Sequence, residues 1–393
     1  MSGVDGGLDR AAFRAAYSSF LRPGRVLLTG HSHQAWPDAS REALLRCFDD
    51  AARFVDDKWG EAVFPLVDAV GRRILERMGF SPDDPISFGR STHELALRLL
   101  SSFPAGSALR VVTTTGEFHS LHRQLRRLEE EGAEITWVET NPPETLAARL
   151  IEALRPGTHV VAASAVLFSD ARVVRDVGEV VAAAAERGIV PLIDAYHAFN
   201  VVPVDWGRAA ASAFVVSGGY KYAQFGEGIC FLRSPASCAL RPVDTGWFAD
   251  FAHLAAPRGA RVEYGPGGDR FAGSTFDPTP FYRADAALRL FDRHGLSVAR
   301  LRAISTRQTR RIVEALHDRP GISVVSPRED ADRGGFVSVR VEGAEGVVAA
   351  LRARNVLVDS RGDLLRLGPA PYLEDAEIDA GAAAVAEVVA AAR

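Results

Sequence analysis

The chain has little cysteine and little net charge, and each shortage excludes a class of protein. Cys47, Cys230 and Cys238 form an odd set without metal-type spacing, so neither a disulfide framework nor a cysteine zinc site is expected. A formal charge of −4 gives no electrostatic attraction to nucleic acid or to acidic lipid. We therefore expect a protein that binds neither nucleic acid nor a membrane.

Long apolar segments are also missing, which bears on where the protein works. The first twenty residues contain two aspartates and no apolar core of signal-peptide length. No later segment approaches the apolar length that crosses a bilayer. These features predict a cytoplasmic protein.

What is present is the composition of an ordinary globular protein, with 47% hydrophobic and 24% charged residues. A length of 393 residues exceeds what one hydrophobic core usually supports. The length therefore predicts one large domain with a smaller companion.

Short apolar runs alternate with amphipathic stretches through the middle of the chain. Strand-like runs lie at 110–113, 135–138, 159–163, 190–194 and 214–217, and helix-like stretches lie at 121–131, 143–154 and 177–187. This alternation predicts the α/β class, with helices covering a mostly parallel sheet whose strands are buried on both faces. In such sheets ligands bind beyond the carboxyl ends of the strands, which is where Ser91, Asp194 and Lys221 fall.

The C-terminal part has a different order of elements. A long helical segment over 281–317 leads out of the large domain. Strand-like runs then lie at 322–325, 335–341, 356–359 and 364–367, and helices at 347–354 and 374–392. This order predicts a small α+β domain.

Two segments in a fixed order carry the strongest chemical signal. DAYH at 194–197 ends one strand, and SGGYKY at 217–222 ends the next. A lysine can form an aldimine with the aldehyde of pyridoxal phosphate, and a buried carboxylate can keep the pyridine nitrogen of that cofactor protonated. Alone, Asp194 is also consistent with a helix cap or loop residue, and Lys221 with a solvated lysine. Together they favour a pyridoxal-phosphate enzyme.

The segment GRSTHE at 89–94 opens a helical run, and backbone amides at a helix start bind phosphate. Ser91 and Thr92 are therefore phosphate candidates, with a plain capping motif as the alternative. Phe118 follows a strand at the same edge of the sheet. It is a candidate for stacking on a cofactor ring, with core packing as the alternative.

Other polar residues are candidates for the substrate side. Arg366 is a charge inside an otherwise apolar strand, and its guanidinium suits bidentate capture of an α-carboxylate, unless it faces solvent. Polar and aromatic clusters at 30–34 and 57–59 add His31, Ser32 and Trp59. No metal is expected, because His119 and His122 are helically spaced but no acidic ligand joins them at a diagnostic offset.

With these residues, the chain resembles the class V branch of fold-type I pyridoxal-phosphate enzymes, and within it the kynureninase-like group, from about residue 27 to 372. The most specific stretch runs from DAYHA at 194–198 through DWG at 205–207 and SGGYKY at 217–222 to TGWF at 245–248. The resemblance implies the fold-type I PLP-transferase fold, with a smaller α+β C-terminal domain. The implied division is an N-terminal segment at 1–38 packing on the small domain and the active site, a large PLP-binding domain at 39–290 and a small domain at 291–393.

Carried across position by position, the resemblance implies a role for each candidate residue. Lys221 forms the aldimine, Asp194 pairs with the pyridine nitrogen, and Tyr220 lies close to the cofactor. For the reaction itself we expect Tyr220 also to serve as an acid or hydrogen-bond donor, provided it reaches the reacting atom. The other implied cofactor contacts are Ser91, Thr92, Phe118, Ser169 and His197, with Trp247 and Thr275 reaching the cofactor of a neighbouring subunit. A homodimer with shared active sites follows, and Arg366, Ser32, His31 and Trp59 lie on the substrate side.

The implied activity is that of an enzyme acting on an L-amino acid through aldimine and quinonoid intermediates. Kynureninase-like Cβ–Cγ hydrolysis and β-elimination of the carbon–sulfur lyase type lead. A class V aminotransferase or epimerase is the alternative, and a non-catalytic binding protein on the same fold is a distant one. A cysteine desulfurase is disfavoured, because that reaction needs a nucleophilic thiol on a substrate-side loop of the small domain, and no cysteine follows Cys238. The family's Gly-Asn-Ser is Gly30-His31-Ser32 here, so the substrate need not be kynurenine.

Overall fold

The computed structural model of the protein describes residues 8–104, 108–255, 257 and 259–392. Its helices are α1 (Arg10–Ala15), α2 (Ala39–Phe54), α3 (Phe64–Met78), α4 (Thr92–Leu100), α5 (His119–Glu130), α6 (Leu146–Ala153), α7 (Val177–Glu186), α8 (Thr279–Arg293), α9 (Val298–Leu316), α10 (Ala344–Ala353) and α11 (Asp375–Ala391). Its strands are β1 (Val26–Leu27), β2 (Ile86–Gly89), β3 (Arg110–Thr114), β4 (Glu134–Val138), β5 (Val160–Ser164), β6 (Val190–Asp194), β7 (Phe214–Gly218), β8 (Cys230–Arg233), β9 (Ser323–Val324), β10 (Val337–Arg340), β11 (Val356–Leu357), β12 (Asp359–Arg361) and β13 (Leu364–Leu367). None of the helices in these ranges is long and apolar enough to cross a membrane.

A seven-stranded sheet in the order β2-β8-β7-β6-β5-β3-β4 forms the centre of the large domain. The neighbours from β7 to β4 pair in parallel, whereas β8 is antiparallel to both β7 and β2. The short connection between β7 and β8 explains the reversal, because a parallel crossover needs a longer segment, usually a helix. The carboxyl ends of the parallel strands therefore meet at one edge.

Both faces of this sheet are covered. All five residues of β5 are buried; Val161 and Ala163 pack in one core, and Val160 and Ala162 in another. Successive side chains of a strand point to opposite faces, so helices must cover both sides. The cover comes from α3, α6, α7 and α8 on one face and from α4 and α5 on the other. This burial explains why the strands read as continuous apolar runs in the sequence.

A separate core joins the two ends of the chain. Phe13 and Tyr17 pack with residues of β10, β13 and α11, and β1 pairs in parallel with β11. A four-stranded antiparallel sheet, β12-β13-β10-β9, lies in the same region. The N-terminal segment therefore contacts the C-terminal part, while the exact domain limits stay a prediction.

Four elements differ from the sequence expectations. The short strands β2 and β8 were not anticipated, because runs of four residues show no periodicity and these two are defined by pairing with each other. The helix expected over 281–317 is two helices, broken where Gly295 has a φ of 60° and Ser297 caps α9. The strand expected over 356–359 is split between β11 and β12.

The connection after β7 depends on a glycine. Gly219 donates its N–H to Ile229 O (3.0 Å) and accepts from Phe225 N–H (2.9 Å), and a Cβ at this position would overlap the Phe225 ring. Phe225 is fully buried, so its ring has little room to move. Only glycine fits here.

We expect Gly219→Ala to lower the free energy of unfolding by about 1–3 kcal/mol, because the buried ring and backbone must shift. Gly346→Ala in α10 is the matched control, since a Cβ there meets no atom within 4 Å. That control should leave stability unchanged or raise it by up to about 1 kcal/mol. Urea unfolding monitored by circular dichroism measures both. Equal stability of the two variants would contradict the packing argument.

Candidate active site

Asp194 lies at the carboxyl end of β6, where the apolar strand stops and the chain turns. Its Oδ1 accepts the N–H of Tyr196 (2.8 Å), which forms the turn that leads to His197. The residue keeps some solvent contact, but protein surrounds its carboxyl group and this desolvation raises the pKa of Asp194. Among the described residues, no cation bonds directly to this carboxylate.

Lys221 lies three residues beyond β7 and is buried, with 7% of the residue exposed. Its Nζ is 2.6 Å from Nε2 of His197. Burial lowers the pKa of Lys221 to about 7, and burial also holds the pKa of His197 well below its usual range. The amine is therefore hydrogen-bonded to a neutral imidazole, and a large fraction of it is uncharged near pH 7.

Aromatic rings surround this amine. The ring centres of Tyr196 and Phe118 lie 4.7 Å and 5.5 Å from Lys221 Nζ. Phe118 also meets Phe168 edge to face at 5.3 Å. Tyr220 is half-buried, and its ring lies 5.9 Å from that of Tyr196. The structure thus brings Lys221, His197, Phe118 and Tyr220 close together, and their roles toward a cofactor stay a prediction.

The start of α4 lies two strands away from the Lys221 connection. Gly89 of β2 is in register with Cys230 of β8, which is in register with Gly218 of β7. The hydroxyl of Ser91 accepts the N–H of Glu94 (3.2 Å), so it acts as a helix cap. The capping alternative is therefore observed, and phosphate binding by Ser91 and Thr92 stays a prediction.

Arg366 belongs to a buried ion-pair network rather than to a solvent-facing strand surface. Its Nε and Nη2 donate to Asp359 at 2.9 Å and 2.5 Å, and its Nη1 donates to Phe168 O (3.0 Å). Asp359 also accepts from Nε2 of His31 at 2.7 Å. Burial lowers the pKa of His31 to about 4, so its ring is neutral. His31 is fully buried and stacks on Phe336. Its bond to Asp359 helps to hold that carboxylate in place beside Arg366.

Two serines near this network have local partners. Ser32 donates its hydroxyl to Thr29 O at 3.2 Å. The carbonyl of Ser169 accepts the hydroxyl of Ser338 (2.6 Å), which links the loop after β5 to β10. Both serines therefore lie near the Arg366 network, and the roles of Ser169 toward the cofactor and of Ser32 toward the substrate stay predictions.

Three predicted site residues lie elsewhere in the chain. Trp59 and Trp247 belong to an aromatic cluster with Phe64, Phe248, Phe251 and Phe276, and Thr275 is exposed beside it. Among the described residues, no ring contact or hydrogen bond joins this cluster to Lys221 or Asp194. Within a single chain these three residues are therefore not brought to the site.

Two acidic residues and the low number of lysines were not recognised from the sequence as relevant to the site. Glu117 stands next to Phe118 in the segment already singled out, and Asp359 precedes Arg366 by seven positions, yet neither was considered. The chain also contains only two lysines, Lys58 and Lys221, so few amines compete for an aldehyde. That count was available from the sequence.

A cavity of about 430 Å³ lies on the other side of the Asp194–His197 turn. Its walls include Arg77, Ala195, Ala198 and Trp206, but neither Lys221 nor Arg366. It is therefore not part of the site around the amine. Within the described ranges, no cluster of three or more histidine, cysteine, aspartate or glutamate residues could hold a metal ion.

Comparison with known proteins identifies similar sequences. Residues 301–385 match the family model of the kynureninase C-terminal domain. The chain is 31% identical over 225 residues to a kynureninase of Deinococcus radiodurans, which covers 54% of this chain and only 53% of that protein. It is 23% identical over 378 residues to a kynureninase of Geobacillus thermodenitrificans, covering 89% of this chain and 85% of that protein.

A solved structure shows the shared fold. A C-DES mutant with glycine covalently linked to its PLP cofactor has a TM-score of 0.82 to this chain at 17% identity, covering 95% of this chain and 99% of that one. The fold-type I architecture implied by the sequence resemblance is thereby confirmed. At this identity the likeness says nothing further about the reaction.

We expect the reactivity of Lys221 to reach half its maximum near its pKa of about 7 and to stop rising about one pH unit higher, because neutral amines are the nucleophiles. Competitive acetylation with a trace of acetic anhydride, read by mass spectrometry across pH, measures this in the cofactor-free protein. Lys58 in the same digest is the internal control. A reactivity of Lys221 that still rises steeply above about pH 9 would indicate an ordinary solvated amine.

Proposed function

Because the chain is a kynureninase-like member of the class V, fold-type I pyridoxal-phosphate enzymes, we propose that it cleaves a side-chain bond of an L-amino acid. The reaction is Cβ–Cγ hydrolysis of the kynureninase type or β-elimination of the carbon–sulfur lyase type. One observation carries the proposal: the buried amine of Lys221 lies under the Phe118 ring, with Asp194 at the end of the adjacent strand.

The residues of this pocket fit pyridoxal phosphate. Asp194 has a raised pKa and no bonded cation among the described residues, and a protonated pyridine nitrogen would supply one. Nδ1 of His197 is buried and has no hydrogen-bond partner in the same part of the chain. The Phe118 ring offers an apolar face for a flat heterocycle. The Asp194 carboxylate, Nδ1 of His197 and the face of the Phe118 ring thus all fit one ligand, pyridoxal phosphate.

The chain's own residues have separate tasks in the proposed reaction. Pyridoxal phosphate, when bound, supplies an aldehyde carbon and a ring that withdraws electrons from the substrate Cα. Asp194 holds a proton on the ring nitrogen, which keeps the ring electron-withdrawing. Lys221 has a pKa of about 7, so its free amine can accept the Cα proton at neutral pH. His197 keeps Nζ oriented through the 2.6 Å contact.

The substrate side sets orientation and the fate of the side chain. Arg366 has the planar guanidinium that holds an α-carboxylate, and Phe168 O with Asp359 fixes its plane. Tyr220 is half-buried beside Tyr196 and has a hydroxyl available as a proton donor, because burial raises its pKa. A ketone side chain and a sulfur leaving group both need such a donor.

We also propose that the working form is a homodimer with shared active sites. The aromatic cluster at Trp59 and Trp247 is exposed to an unusual degree for large apolar side chains, with 43% of Trp247 and 38% of Phe251 accessible. Exposed apolar surface of this kind marks protein interfaces. A second chain covering this cluster would give Trp247 and Thr275 the role that the sequence resemblance implies.

The protein should be yellow when loaded with pyridoxal phosphate, and borohydride should fix the cofactor to Lys221. Holoenzyme mixed with a panel of L-amino acids should release alanine from kynurenine, or pyruvate and ammonia from β-thio-substituted substrates. Lys221→Ala should abolish product formation, while Lys58→Ala should retain it. A wild-type protein that takes up no pyridoxal phosphate contradicts the proposal, and accumulation of pyridoxamine phosphate without either product indicates an aminotransferase.

Arg366→Ala should raise KM for the best substrate about tenfold or more, because a charge-assisted bond to the α-carboxylate contributes about 1.5–3 kcal/mol. Arg340→Ala is the control, since Arg340 lies on the adjacent strand but pairs with Asp363 at an exposed position. Steady-state kinetics measure both variants, and thermal unfolding checks that each is folded. An unchanged KM in a folded Arg366→Ala protein removes this residue from substrate binding.

A further inference from the structure

Glu117 is a buried acid to which the proposed reaction gives no task. It follows β3 in the turn that leads through Phe118 into α5, and only 2% of the residue is exposed. Burying a carboxyl group without a cationic partner costs stability unless hydrogen bonds compensate for the lost hydration.

Both oxygens of Glu117 tie together two strand ends. Oε1 accepts the hydroxyl of Thr114 at 2.6 Å and the N–H of Ser164 at 3.1 Å. Oε2 accepts the hydroxyl of Ser164 at 2.6 Å. Thr114 ends β3 and Ser164 ends β5, so one side chain fixes the spacing of these strands at the edge where the site lies.

This link reaches the site from two directions. Phe118 is the next residue along the chain, and its ring lies 5.5 Å from Lys221 Nζ. Ser164 is in register with Asp194 on the adjacent strand. Glu117 therefore holds the turn that carries the stacking ring and also bonds to the residue paired with Asp194.

The groups around Glu117 are neutral apart from Asp194. The donors from β3 and β5 are the uncharged Thr114 and Ser164, and no basic side chain among the described residues bonds to Glu117. Burial raises the pKa of Glu117 to about 7; the bonds from Ser164 and Thr114 lower it, and the charge of Asp194 raises it further. The two acids repel each other when both are ionised, and a cation at Asp194 relieves that repulsion.

We propose that Glu117 is a positioning residue whose protonation state controls how strongly the Asp194 pocket holds a cationic ring. The inference rests on the proposed use of pyridoxal phosphate. Protonated, Glu117 only fixes the turn at Phe118. Ionised, it adds a second negative charge behind Asp194 and favours a protonated pyridine nitrogen there. By linkage, occupation of the pocket favours ionisation of Glu117.

Thermal unfolding of the cofactor-free protein tests the titration without using activity. A carboxyl group whose pKa is raised on folding favours the folded state at low pH and loses this advantage as pH rises through the folded pKa. Glu117→Gln cannot ionise. Its unfolding temperature relative to wild type should therefore increase between about pH 5 and about pH 8. Glu139→Gln is the matched control, because Glu139 is exposed and accepts from the neighbouring Thr115.

Affinity for pyridoxal 5'-phosphate tests the link to the pocket. The ratio of dissociation constants, Glu117→Gln over wild type, should be near one at about pH 5.5 and about three- to tenfold at about pH 8, where only wild type carries the added charge. Quenching of tryptophan fluorescence measures both constants. An equal ratio at the two pH values overturns the proposal, as does a gap in unfolding temperature that is independent of pH.

Two further outcomes are informative. If Glu117→Gln does not fold, Ser164→Ala removes one donor to the carboxylate and should shift the pH dependence of wild-type stability to higher pH; no shift overturns the proposal. If wild type takes up no pyridoxal phosphate, the proposed function fails and the inference falls with it. The unfolding experiment then still reports whether Glu117 titrates, so the two failures are distinguishable.

Discussion

The site depends on the burial of the Lys221 amine, to which no carboxylate bonds in the part of the chain that the structure describes. An ion pair would keep this amine charged and unreactive, whereas burial against the neutral His197 lowers its pKa to about 7. Asp194 and, more weakly, Asp359 act on Lys221 electrostatically and raise its pKa, but Asp359 is bonded to Arg366 and His31. The network of Arg366, Asp359 and His31 thus holds Asp359 in bonds of its own, and Nζ of Lys221 is bonded to His197 instead.

The central sheet determines where the residues around this amine lie. Parallel strands deliver their carboxyl ends to one edge, so Thr114, Ser164 and Asp194 arrive side by side and Lys221 follows the next strand. Glu117 then fixes the spacing at this edge through bonds to two of these strand ends. The register of the backbone strands therefore positions Phe118 and Asp194, and side-chain motion alone does not alter that register.

The residues at strand ends could be predicted from the sequence, because an apolar run followed by a polar residue defines such an end locally. Asp194, Lys221 and Phe118 were found in this way. The bonds from Asp359 to His31 and Arg366 join residues more than 300 positions apart or on separate strands, and no local pattern encodes them. The same holds for β2 and β8, which are short and exist through pairing with each other. The break at Gly295 and Ser297 was readable from capping residues but was overlooked.

In the proposed reaction, the bonds that Arg366 already makes to Asp359 would affect how the protein selects among amino acids. Arg366 is buried with 2% exposed, and its fork already holds Asp359, so an incoming α-carboxylate competes with a carboxylate of the same charge. Asp359 lies on the edge strand β12, with Arg361 Nη1 3.7 Å from its Oδ2, so a second cation stands ready when Arg366 is taken. Binding would then exchange the Arg366–Asp359 pair for a pair between Arg366 and the α-carboxylate, a contribution that is the same for every α-amino acid. In the proposed reaction, discrimination among amino acids would therefore come from the side chain, which would lie near Tyr220 and the rings around Lys221.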